Sequence, residues 1–300
     1  MPRYFSICYY LNVNKILEVG KLKKYVKLIS LSLLLSAVLS ITAAGVPAFA
    51  SDDIGQIKQT TLWDIEEETG SVTSESPSRT IRGIITPGND RRTRVEDFHK
   101  YPFVGRITGI GSGTGFVVGE DYIVTNRHVA KHAVKTENGY TGEFRPSQIG
   151  DTDNQLPFGT FYFKDLILSE GSLDLAVVKV SKQNNDPDGL SLGNVVSPVE
   201  LKQFDSNDKI LTLVGYPGPR PGYYQWEQTN SLSKEQANDV NNPVIKYDID
   251  TEAGQSGSPV LNERGQVVAV HSTGYGNLNG GERLTAENLK FINDAIKQLK

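Results

Sequence analysis

Cysteine is nearly missing from this 300-residue chain: the one present, Cys8, stands in the N-terminal stretch. Everything downstream lacks a thiol, which excludes a cysteine nucleophile, a disulfide framework and a thiolate metal site. Positive charge is not in excess either, with 31 Lys and Arg against 35 Asp and Glu for a formal charge of −4. A basic face is the footprint of nucleic-acid binding, so nucleic acid is not expected as the main partner. The one long apolar run, Leu28 to Ala44, is short for a spanning helix of about 20 residues, and no stable membrane anchor is expected. An Asp-rich loop of EF-hand spacing is also lacking, so neither a metal nor another cofactor is called for.

What is present suits a soluble globular protein, with 38% hydrophobic and 22% charged residues. Lys21, Lys23, Lys24 and Lys27 precede the apolar run, and Ala48-Phe49-Ala50 follows it. That order reads as a signal peptide over residues 1–50, cleaved before Ser51, and hence as a secreted, extracellular protein. The stretch before Lys21 is an unusual extension for such a peptide, which a translation start further downstream would explain. Residues 51–83 are polar, acidic at Glu66-Glu67-Glu68 and without a sustained apolar period. They read as a flexible propeptide. An exported chain without disulfides must be held by its core alone, which this length can build.

From Tyr101 onward, short β-type runs alternate with glycine and Asn/Asp turns. Strands are expected at 103–110, 115–118, 122–125, 160–168 and 175–180, then, beyond a polar linker at 183–193, at 209–214, 244–250, 259–261 and 266–271. Many short strands at close spacing mean an all-β sandwich or barrel. The end differs. Leu289, Ile292, Ile296 and Leu299 recur at helical spacing behind Thr285, a good N-cap. A helix over about 285–299 is expected to pack on the last strands.

The chemistry centres on Gly254-Gln255-Ser256-Gly257-Ser258-Pro259. A serine between glycines on a tight turn can present its hydroxyl outward, while the N–H groups of Gly254 and Ser256 converge as an oxyanion hole. The same hexapeptide also suits an ordinary turn, so a base and an orienting acid are needed. Of four histidines, His128 follows the strand at 122–125, and imidazole is poised to take a hydroxyl proton near neutral pH. His132 stands four residues on, but the glutamate of a zinc-binding HExxH motif is missing; it reads as an exposed helix residue. Asp174 opens the apolar strand at 175–180, where a carboxylate needs a hydrogen-bond partner such as a histidine N–H.

The order His128, Asp174, Ser256 is that of the chymotrypsin-like serine proteases. Gly113-Thr114-Gly115-Phe116-Val117-Val118 with Thr125-Asn126-Arg127-His128-Val129, Asp174-Leu175-Ala176-Val177-Val178-Lys179, and Gly254 to Val260 resemble the histidine, aspartate and serine blocks of that clan. The chain more closely resembles the secreted glutamyl endopeptidases of staphylococci and bacilli. Ile84-Ile85-Thr86-Pro87-Gly88-Asn89-Asp90-Arg91 resembles their mature start. Val214-Gly215-Tyr216-Pro217-Gly218 with Trp226, and Ala269-Val270-His271-Ser272-Thr273-Gly274, resemble blocks of their second barrel. The resemblance implies a protease domain over 84–300. It would comprise two antiparallel six-stranded β-barrels, about 100–190 and 200–283, and a C-terminal helix. His128 and Asp174 would come from the first barrel and Ser256 from the second.

The resemblance also implies a pocket for a glutamate side chain, lined by Thr251, His271 and the α-amino group of Ile84 freed by propeptide removal. His271 would pair with the carboxylate as a cation or as an N–H donor. Cleavage is open between Arg82–Gly83, Gly83–Ile84 and Ile84–Ile85. Protein and peptide substrates and an activating protease are the implied partners, and a monomer is expected. One residue argues the other way. Asp250 stands where trypsin-like enzymes carry the acid that selects Lys or Arg, and unpaired it would repel glutamate; His271 is the group expected to neutralise it. Glu252-Ala253 departs from the pairs expected before Gly254, which leaves the pocket rim open. Two other readings stand beside the glutamyl endopeptidase: the same fold with basic or narrow, toxin-like specificity, and a secreted binding module without catalysis.

Overall fold

The computed structural model describes residues 85, 88–150, 152, 155–181, 189–218 and 223–300. The assigned signal peptide, the propeptide and Ile84 lie outside the described residues. The strands are β1 (Thr93–Arg94), β2 (Val104–Thr108), β3 (Gly113–Gly119), β4 (Tyr122–Thr125), β5 (Lys135–Thr136), β6 (Gly139–Tyr140), β7 (Glu143–Pro146) and β8 (Phe161–Leu168). They continue as β9 (Ala176–Ser181), β10 (Ile210–Gly215), β11 (Trp226–Ser231), β12 (Val244–Tyr247), β13 (Pro259–Leu261), β14 (Val267–Tyr275) and β15 (Leu278–Arg283). Four helices are described: α1 (Arg127–Ala130), α2 (Leu192–Val195), α3 (Lys234–Asn238) and α4 (Ala286–Gln298).

The first half closes into a six-stranded antiparallel barrel in the order β2-β3-β4-β9-β8-β7. Closure leaves no strand edge open. Its interior is aromatic and aliphatic: Ile107, Val117, Ile123, Phe144, Phe161, Phe163 and Val178 are all buried. Burying each such side chain is worth about 1.5–3 kcal/mol. In the second half, six strands from 210–283 join β1 in a seven-stranded sheet of order β1-β11-β10-β13-β14-β15-β12. The N-terminal segment thus reaches across to pair with β11, Thr93 opposite Glu227 and Arg94 opposite Trp226.

A cluster that includes Val104, Phe116, Val124 and Val177 from the first half and Val214, Tyr216, Leu261 and Val270 from the second fuses the two. Hydrogen bonds pin the seam at one residue of β3. Thr114 donates its N–H to the Ser256 carbonyl at 2.9 Å and its hydroxyl to the Gly254 carbonyl at 2.9 Å. It also accepts from the Tyr216 N–H at 3.0 Å.

The closing helix forms as its periodicity predicts, with the Thr285 hydroxyl accepting from the Asn288 N–H at its N-terminus. Its placement differs from expectation. Ile292, Ala295 and Leu299 join the cluster shared by both halves, and Lys179 of β9 donates to the Leu299 carbonyl at 2.6 Å. The helix therefore ties back to the first barrel as well as covering the second. His132 is exposed, as expected, but α1 ends at Ala130, so it follows the helix and does not belong to it.

Candidate active site

The local fold brings His128 and Asp174 together. In the sheet β4 lies antiparallel to β9, with Thr125 opposite Ala176. Residues just past the end of β4 therefore meet those just before the start of β9. Asn126 fixes the junction, its side-chain amide donating to the Asp174 carbonyl at 2.9 Å. Val129 and Ala130 turn inward from α1, which leaves His128 half-exposed at the seam.

The Asp174 carboxylate accepts from both ends of His128: the backbone N–H at 2.9 Å and ring Nδ1, 2.7 Å from Oδ2. A third bond comes from the Ser272 hydroxyl on β14, at 2.6 Å to the same oxygen. Burial by itself pushes this carboxyl up. The bond to His128, the His128 charge and the Ser272 hydroxyl outweigh it and hold Asp174 well below the usual carboxylate range. A carboxylate so fixed keeps the Nδ1 proton on the imidazole and leaves Nε2 as the basic nitrogen.

Ser256 sits on the turn before β13, partly exposed. In this conformer its hydroxyl donates to the Ser272 carbonyl at 3.2 Å. That is long for an O–H···O bond, hence weak and readily surrendered. Ser272 thus touches both partners, its carbonyl on Ser256 and its hydroxyl on Asp174.

Two glycines make the turn. Gly254 has φ +94°, and a Cβ there would fall 2.5 Å from the Gly218 nitrogen. Gly257 has φ +87°, with a Cβ 2.1 Å from the Thr114 carbonyl oxygen. The Ala253 carbonyl accepts from Gly218 N–H at 2.7 Å. In a trans peptide the following N–H points the opposite way, so Gly254 N–H faces away from Gly218. Neither it nor the Ser256 N–H hydrogen-bonds to any described residue.

Beyond the turn, His271 is 2% exposed. Its Nδ1 lies 2.8 Å from the Tyr247 hydroxyl on β12. Burial pushes the imidazole down to about 3, against the opposing influence of the Gly280 backbone. Burial thus favours the neutral imidazole. Burial also holds the Tyr247 phenol in its protonated form, well above its usual range. The ring is thus hydrogen-bonded both to the Tyr247 hydroxyl and to the Gly280 backbone. Thr251 is completely buried, and its hydroxyl has no hydrogen-bond partner among the described residues.

The acid that argued for a basic substrate is occupied. Asp250, 2% exposed, accepts from Arg91: the backbone N–H at 2.9 Å, Nε at 3.1 Å and Nη2 at 3.2 Å. The neutralising group is thus Arg91, not His271. Next to it the Arg92 side chain, 1% exposed, reaches Gln255 at 2.6 Å, Asp90 at 2.9 Å and Glu252 at 2.8 Å. Gln255 lies between the two glycine-turn N–H groups, so the N-terminal segment grips the serine turn directly.

Sequence reasoning missed Thr114, Arg92, Gln255, Ser272 and Tyr247. Arg91 and Ser272 stood inside blocks already recognised, so the signal was proximity to a motif. Thr114 and Gln255 likewise stood inside named blocks, while Arg92 gave no local signal. Ile84 lies outside the described residues. The described residues contain no cluster of three or more His, Cys, Asp and Glu able to hold a metal.

Comparison with known proteins agrees with the fold. The trypsin-like peptidase domain matches residues 113–270. A glutamyl endopeptidase of Staphylococcus epidermidis is 28% identical over 234 residues, spanning 74% of this chain and 75% of the relative. One of Staphylococcus aureus (strain MW2) is 29% identical over 228 residues, spanning 72% of this chain and 65% of the relative. The solved structure of a Glu endopeptidase in complex with MPD aligns with TM-score 0.58 and 29% identity, covering 70% of this chain and 99% of that one.

Proposed function

The chain belongs to the trypsin-like peptidase family and is a serine endopeptidase, and from that premise we propose that it cleaves peptide bonds after glutamate. Ser256 is the nucleophile. It turns from the Ser272 carbonyl to attack the scissile carbonyl carbon as His128 Nε2 takes its proton. The N–H groups of Gly254 and Ser256 receive the oxyanion. Asp174 holds the imidazole and stabilises the imidazolium formed. His128 then protonates the leaving amine; water, deprotonated by His128, attacks the acyl-enzyme and releases the acid. No cofactor enters these steps.

The observation that carries the glutamate reading is the buried Thr251 hydroxyl beside the serine turn, which has no hydrogen-bond partner among the described residues. His271, held by the Tyr247 hydroxyl, is the second polar group buried there. A site whose buried donor goes unpaired without a ligand rejects substrates that lack the matching acceptor. The pairing of Asp250 with Arg91 supports the same reading against basic specificity. The names of the staphylococcal relatives accord with it. Secretion, removal of the propeptide by another protease and a contribution of the Ile84 α-amino group to the pocket complete the proposal, for a monomer acting on protein and peptide substrates.

The test uses the secreted, processed protein on matched peptides with Glu, Gln, Asp, Lys or Arg before the scissile bond. Glu is expected to be preferred over its uncharged isostere Gln, and Ser256→Ala is expected to abolish cleavage of all of them. Equal cleavage after Lys and Glu overturns the specificity; undiminished cleavage by the Ser256 variant overturns the mechanism. N-terminal sequencing of the secreted chain reads the processing site.

A further inference from the structure

Four carboxylates crowd the segment that leads into the serine turn: Asp90, Asp248, Asp250 and Glu252. Two guanidiniums meet them. Arg92 takes Asp90 and Glu252. Arg91 takes Asp248, at 2.7 Å, and Asp250, at 3.1 Å. The hydrogen bonds to both carboxylates keep the Arg91 guanidinium well above its already high range, so its charge is permanent. Thr251 faces the interior with its unpartnered hydroxyl, while Asp250 turns to Arg91 and takes three N–H groups from that one residue. The backbone N–H of Asp250 is held in turn by Gln228 of β11 at 2.9 Å.

We propose that Arg91 is a specificity-determining residue: it holds the Asp250 carboxylate away from the substrate and cancels its charge, which decides that the pocket accepts an anionic side chain rather than a cationic one. The inference rests on the reading of Thr251, His271 and the serine turn as the substrate pocket. Its physical basis is the local charge balance. Without Arg91, one guanidinium faces four carboxylates, and Asp250 is released one residue from Thr251. A nearby carboxylate repels a glutamate and attracts a lysine. The residue that sets the sign of the substrate thus lies in the N-terminal segment, far in sequence from the pocket walls.

Arg91→Gln keeps the length of the side chain and removes the charge. It is expected to lower the ratio of kcat/KM for Glu over Lys peptides about tenfold or more. Adding Asp250→Asn in the same chain is expected to restore the ratio. A ratio within about threefold of the parent means that Arg91 is structural only, and overturns the proposal. Where Arg91→Gln fails to fold, Asp250→Asn alone decides, because Asp248 still holds Arg91. A masked carboxylate is not felt by the substrate, so the ratio stays within about threefold; a larger rise shows Asp250 already acting on the substrate and overturns the proposal. The parent protein provides the separate control. If it does not prefer Glu to Gln, the glutamate reading fails, while the shift between the parent and Arg91→Gln still reads the role of Arg91.

Discussion

The two halves of this protease are built differently inside. The first is a closed barrel filled with Phe144, Phe161, Phe163 and aliphatic residues. The second has an apolar cluster of its own, Leu211, Leu213, Ile245 and Val260 among it, but it also buries Asp250, Thr251, Gln255, His271, Ser272, Thr273, Asn279, Glu282 and Arg283. An apolar interior gains stability without directional demands. A polar interior costs stability unless each group is paired, and it fixes those groups in place once they are. The first half works as a rigid mount for His128 and Asp174, and the second as a shaped polar surface that carries Ser256, the proposed nucleophile, and the proposed recognition groups. Arg91 and Arg92, from a segment outside both sets of strands, supply the positive charge that meets Asp248, Asp250 and Glu252.

The largest effect that can sharpen this contrast is expected at the seam. Asp174→Asn keeps the shape but reverses the hydrogen-bond demand on His128 Nδ1, and kcat is expected to fall about 10⁴-fold with the melting curve nearly unchanged. Ser272→Ala removes one of three bonds to the same carboxylate and should cost much less. If the two variants lose equal activity, Asp174 is not acting through His128.

Gly254→Ala forces a Cβ into the Gly218 backbone and strains a φ of +94°. The displaced N–H is expected to lower kcat about 10²-fold with KM little changed, as steady-state kinetics will read. A change confined to KM would assign that N–H to ground-state binding instead.

The interior of the first barrel should respond only in stability. Phe163→Ala empties a barrel position that is 1% exposed and should cost about 3–5 kcal/mol in denaturant unfolding. The Glu/Gln preference of the folded fraction should not move. A changed preference would show that the barrel is no passive mount.

The smallest expected effect is a pH signature. Because burial lowers His271 to about 3, the unfolded chain binds its proton first as pH falls below about 6.5. Stability contributed by the neutral imidazole is therefore lost progressively from about pH 6.5 downward. Asp174 acts later. Its depressed carboxyl stabilises the fold above about pH 3.9 and loses that contribution only as pH falls through its lower folded value. Between pH 7 and 5, His271→Gln is thus expected to show a smaller drop in Tm than the parent. An equal drop would place the acid sensitivity elsewhere.

Much of this was legible in advance, for reasons that vary by element. Tyr122–Thr125 and Pro259–Leu261 were read with their observed bounds, because short apolar runs between turn residues leave little choice. Trp226–Ser231 and Leu278–Arg283 were not read as strands. The first is polar and the second glycine-rich, so neither shows the apolar alternation that reports a buried face. His128, Asp174 and Ser256 were legible because each lies in a local motif. Ser272 and Tyr247 were not assigned roles, since nothing local tells which of many hydroxyls reaches a carboxylate or an imidazole.

By itself the sequence determined the all-β class and the closing helix, and it offered His128, Asp174 and Ser256 in their order along the chain. These follow from short-range features: period, turn chemistry and capping. Only the tertiary structure decided which charges cancel. Asp250 reads identically in sequence whether it selects a lysine or is held by Arg91, 159 residues away. Electrostatic sign at a site is set by the nearest partner in space, and chain distance carries no information about it.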